Sequence, residues 1–164
     1  MVWKRCPPSK LKFGDELNLP MSYVEKMKGE GAQEQIREKL SAVRDALTRL
    51  HKTLLESERI GYEQTFGSVG STGDFLQLVI RDPWFAWLRP ISELIVLIDQ
   101  ALDEDPPVSA EAADALFKTA RTLLIATETG DGFSKHYFDA LQRDPDVVLA
   151  HAGVGRVLKP GRAK

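Results

Sequence analysis

The chain of 164 residues has the length of one domain and can bury a sizeable core without metal or disulfide staples. Its formal net charge of -2 gives no global attraction to nucleic acid or to an anionic membrane. Its single cysteine, Cys6, excludes an intrachain disulfide and a multi-cysteine zinc site.

The N-terminus has basic residues without an apolar run behind them, which does not match a secretory signal. The longest apolar stretch, 91–102, is broken by Ser92, Glu93, Asp99 and Gln100, and falls short of the roughly 20 apolar residues of a membrane span. A soluble chain in the reducing cytoplasm is expected. Residues 1–20 carry Pro7, Pro8, Gly14 and Pro20 and show no apolar period, so they read as an irregular extension on which Trp3 and Phe13 could dock. They could also be an optional or mis-called start. Tyr23 to Lys28 could form a short helix before Gly29 and Gly31.

From Gln33 to Phe66 the pattern predicts one long helix. Ile36, Leu40, Val43, Leu47, Leu50 and Leu54 recur at alternating spacings of four and three, which is a heptad seam. Its next positions are Ser57, Gly61 and Gln64, so the stripe turns small and polar. Gly67, Gly70 and Gly73 mark the turn that follows. Ser71 with Asp74 resembles a capping box and opens a short second helix, apolar on nearly every side and expected to be buried.

Asp82-Pro83 is a helix start, with a carboxylate cap followed by proline at the first helical position. Pro90 predicts a kink, or a break with a restart near Ile91. Leu94, Ile95, Ile98 and Leu102 supply the inward face until Pro106-Pro107. Ser109 caps the next helix, with a seam of Ala113, Leu116, Phe117, Ala120, Leu123, Leu124 and Thr127. A short helix near 133–142 and a last one after Asp144-Pro145, interrupted at Gly153 and Gly155, complete the chain. The expected fold is all-α: a helical bundle with one long N-terminal helix and a Pro-kinked second long helix, in an antiparallel up-down arrangement. The expected divisions are an irregular extension over 1–31, a bundle over 32–159 and a disordered tail over 160–164.

Four constellations bear on function. No glutamate has a histidine three residues later and no histidine pair has ligand spacing, so no metal or cofactor is expected. His51 with Glu58, on one helix face, is the best remaining metal pair. The glycine-rich turn 67–73 lacks a Gly-Lys-Ser/Thr and a preceding strand, which leaves only a candidate anion site at Ser71, Thr72 and Gly73. Around the relaxed end of the seam, Glu58 is a candidate acid or base, and Arg59 pairs naturally with Glu63. Facing it, Trp84, Phe85 and Trp87 lie between Arg81, Asp82 and Arg89. These rings either fill the space left by Ser57 and Gly61 or line a groove there. The candidate groove is Ser57, Glu58, Gly61, Tyr62, Trp84, Trp87 and Arg89, with Arg89 free to bind a carboxylate or to pair with Glu58.

The segment Asp82-Pro83-Trp84-Phe85-Ala86-Trp87-Leu88-Arg89-Pro90, together with Glu58 to Glu63, resembles small bacterial proteins of unknown function. That resemblance implies a bacterial cytosolic origin and no activity. The expected function is a non-catalytic helical module that binds a protein partner or a small ligand through the aromatic groove, with self-association through the long helix as a further expectation. The alternatives are a cofactor-independent enzyme using Glu58, Tyr62 and Arg89, and nucleic-acid binding through the basic ends, residues 1–12 and 156–164. The latter is opposed by the few basic residues on any one helix face.

Overall fold

A computed structural model describes residues 21–159, with side chains from Gly29 onward. The expectations for residues 1–20 and 160–164 lie outside the described residues. The fold is all-α. Helix α1 spans Met21–Phe66, α2 Thr72–Arg81, α3 Arg89–Asp103, α4 Ala110–Leu123, α5 Gly132–Arg143 and α6 Pro145–Leu158, with a 3-10 helix over Pro83–Leu88 between α2 and α3. No strand occurs among the described residues. No helix among them is long and apolar enough to cross a membrane.

The stretch up to Ala32 and a compact unit that begins at Gln33 are distinct. In the first stretch the backbone is helical from Met21, and it stays helical at Gly29 and Gly31. The expected break at these glycines is therefore absent. A glycine costs a helix only about 1 kcal/mol, which does not by itself end one.

In the second unit the seam does what its spacing requires. Leu40, Val43, Leu47, Leu50 and Leu54 are fully buried, and Ala46 joins them. Contacts along α1 set the direction of its neighbours. His51 meets Ser92 and Arg44 meets Asp99, so α3 runs antiparallel to α1. Gln33 Nε2 donates to the Val108 carbonyl at 2.7 Å and Lys39 lies over the Phe117 ring, so α4 runs parallel to α1. Arg121 donates to the Leu158 carbonyl at 2.8 Å, while Leu124 shares a surface depression with His151 and Gly155, so α6 runs back against α4. The helices α1, α3, α4 and α6 thus alternate up and down, and α5 packs against α6 and the 3-10 helix.

Four expectations need correction. Helix α2 has no fully buried residue, and Leu76 and Ile80 are more than half exposed. Only its Phe75, Leu78 and Val79 side packs against the core, so its remaining apolar residues face outward. Of the two expectations at Pro90, the kink in a continuous long helix is absent and the break with a restart occurs. The 3-10 turn ends at Leu88, and Pro90 occupies the first turn of α3, where its missing N–H is harmless. Helix α6 passes Gly153 and Gly155 without interruption, and α4 ends at Leu123, leaving Thr127 exposed in the following loop.

Candidate functional site

One turn past Leu54, where the seam loses its large side chains, α1 buries two polar residues, Ser57 and Glu58. Glu58 is only 7% exposed. A buried carboxylate needs a partner, since an unpaired charge away from water is costly. The partner is Arg143, the last residue of α5, whose Nη2 donates to Glu58 Oε1 at 2.5 Å and lies 3.4 Å from Ser57 Oγ. Buried Tyr137 and Ala140 anchor α5, and Asp144 directly after it caps α6 by accepting from the Asp146 N–H at 2.9 Å. The guanidinium is therefore held at a junction fixed on both sides. Glu58 Oε2 makes no hydrogen bond among the described residues.

The facing wall is the 3-10 helix. Asp82 Oδ1 accepts from the Trp84 backbone N–H at 2.9 Å, which starts that turn. Asp82 Oδ2 lies 3.5 Å from the Tyr62 hydroxyl. Burial first, and then the Asp82 charge, push the Tyr62 phenol above its usual range. The Trp84 ring passes so close to α1 that a Cβ at Gly61 would lie 3.5 Å from its Cζ2. Tyr62 and Phe66 both meet Trp84 edge to face. Trp87 stacks on His136 of α5, with centroids 5.4 Å apart and planes 20° apart.

Between these walls lies a cleft of 270 Å³, lined by Glu58, Pro83, Trp84, Trp87, His136, Asp139 and Arg143. Of the candidate residues, Glu58, Trp84 and Trp87 share this cleft. Ser57 lies beneath Arg143, and Gly61 and Tyr62 back the Trp84 ring. Arg89 is not part of it. It is exposed at the start of α3, and the cation that reaches Glu58 comes instead from 85 residues downstream. The trio Glu58, Tyr62 and Arg89 is consequently not brought into one cavity.

No family model, curated protein or solved structure matches the chain.

The candidate anion site at Ser71, Thr72 and Gly73 is occupied from within. Ser71 Oγ accepts from the Asp74 N–H at 3.1 Å and donates to Asp74 Oδ2 at 2.7 Å, so an incoming anion would meet a carboxylate already at that helix end. His51 does not meet Glu58. Its Nε2 lies 3.0 Å from Ser92 Oγ, and burial lowers its pKa from the usual 6.5. Among the described residues no group of three or more His, Cys, Asp or Glu is placed to hold a metal.

Sequence reasoning missed the α5 wall of the cleft. His136, Asp139 and Arg143 follow at spacings of three and four, which places them on one face of α5. That polar stripe beside buried Tyr137 and Ala140 was the available signal. One more buried polar contact sits apart from the cleft. The Tyr137 hydroxyl lies 2.7 Å from His151 Nδ1, and burial pushes this phenol far above its usual range.

Proposed function

We propose that the chain is a non-catalytic helical module whose cleft holds a flat, cationic or N–H-donating group, either of a small ligand or of a partner's side chain. The observation that supports this most is the composition of the cleft wall. Two indoles and an imidazole share the lining with two carboxylates, Glu58 held by Arg143 and Asp139 held by Lys135. Indole faces attract cations placed over them, and a carboxylate beside them adds a directed acceptor. Glu58 supplies that acceptor, as a lining residue whose Oε1 Arg143 already holds. A volume near 270 Å³ suits a group of a few heavy atoms rather than a large cofactor.

The enzyme alternative receives no support, because Tyr62 and Arg89 lie outside the cleft. Self-association through the seam of α1 is not proposed either, since that seam is covered within its own bundle.

Argininamide is a suitable probe of the proposal. Titration followed by NMR should shift the indole N–H resonances of Trp84 and Trp87 saturably, and Glu58→Gln should weaken binding about tenfold, the equivalent of one charge-assisted hydrogen bond. If an uncharged amide of similar size bound equally well, or if Trp87→Ala left the affinity unchanged, the reading would be wrong.

A further inference from the structure

On the other side of α1 a larger groove of 510 Å³ runs between α1 and α6. Arg49 and Lys52 line it from α1, and Arg156 lines it from α6. No acid lines it, and none of the three cations forms an ion pair among the described residues. Asp45 and Glu56, near its ends on α1, are not part of the lining. The apolar surface of the groove comes from Leu149, Ala150 and Val157. Leu149 is 69% exposed and lines the same groove as the three cations.

Gly153 also lines this groove. It sits inside α6, where glycine is disfavoured, yet a Cβ there would meet nothing within 4 Å. Packing within the chain therefore gives no reason for glycine at this position. The same holds at Gly155, so the open space at Gly153 leaves room for a bound molecule without requiring one.

We infer that this groove is a second binding site, for a small amphipathic anion: an apolar tail along Leu149, Ala150 and Val157, and a carboxylate or phosphate head between Arg49, Lys52 and Arg156. Arg49, Lys52 and Arg156 are exposed and line one groove from two helices, and a guanidinium can offer paired N–H donors to either head. The volume falls within the roughly 300–1,000 Å³ of small-molecule sites. The site shares no residue with the aromatic cleft, so the two readings stand or fall separately.

The test uses the full chain, isotopically labelled for NMR, with decanoate, decyl phosphate, decyltrimethylammonium and inorganic phosphate, the amphiphiles below their micelle concentrations. Both amphipathic anions should shift the amides of Ala150, Gly153 and Arg156 saturably, and the tighter of the two identifies the head group. Decyltrimethylammonium should leave those amides in place, and inorganic phosphate should bind at least about tenfold more weakly than the amphipathic anions. Arg49→Gln combined with Arg156→Gln should weaken the anions by about tenfold or more. Gly153→Leu should abolish their binding while the melting temperature holds or rises, because the added side chain enters open space on a helix. Equal binding of the cationic amphiphile, equal binding of inorganic phosphate, or undiminished binding by Gly153→Leu would overturn the inference. So would shifts confined to Trp84 and Trp87.

Discussion

At the scale of single residues the Glu58–Arg143 pair is the most exposed to test. Arg143 is about half exposed, so solvent weakens the pair below the roughly 3–5 kcal/mol seen on breaking fully buried ones. Arg143→Ala should cost about 1–2 kcal/mol in urea unfolding, and Glu58→Gln in the same background should recover part of it. A double-mutant coupling near zero would show that the two side chains are neighbours without being partners. His51 gives a pH prediction. Its folded pKa lies below the ordinary 6.5, so the unfolded chain takes up the proton first. Stability should therefore be full above about pH 6.5 and decline as pH falls through the window below it. In His51→Gln, which cannot titrate, the fall in urea midpoint between about pH 7 and pH 5 should be visibly smaller. Glu58 was legible in the sequence because it stands where the seam turns polar. Arg143 was not, because nothing local marks which cation returns to it across so long a separation.

At the scale of elements, the join between α1 and the 3-10 helix answers whether the tryptophans fill the space at Gly61 or line it. Trp84 does both, with Cζ2 toward Gly61 and the residue also among those lining the cleft. The 3.5 Å approach is ordinary contact, so one methyl group fits. Gly61→Ala should stabilise α1 by about 0.5–1 kcal/mol, read as a melting temperature higher by roughly 1–4 °C. Gly61→Leu should instead displace the indole and move its N–H resonance. Helix starts at Ser71, Asp82, Ser109 and Asp144 were readable because a cap is a local event, and each of these side chains accepts the expected backbone N–H. The glycines misled, because open space around Gly153 and exposure at Gly29 let the helix continue at small cost. The face of α2 was unreadable for another reason. Its sequence is apolar all round, and only the available neighbours decide which side is covered.

For the whole molecule, the heptad seam on α1 organises the bundle, and the energetic test is correspondingly central. Leu50→Ala, at a fully buried seam position, should cost about 2–5 kcal/mol in chemical denaturation. Leu149→Ala, at an exposed position, should change stability by no more than about 0.5 kcal/mol. The all-α class followed from seam, caps and short turns. The clefts did not, because each is built by helices distant in sequence whose facing residues no periodicity pairs.

The burial of the α1 seam under α3, α4 and α6 has a consequence for biosynthesis. The seam leaves the ribosome first, and its cover is complete only when Leu158 has been added. At about 5–20 residues per second that interval lasts roughly 5–20 s. Throughout it the nascent chain presents a continuous apolar ridge to the cell, which makes α1 the segment that a chaperone would grip and the one that would aggregate if synthesis stopped after α3.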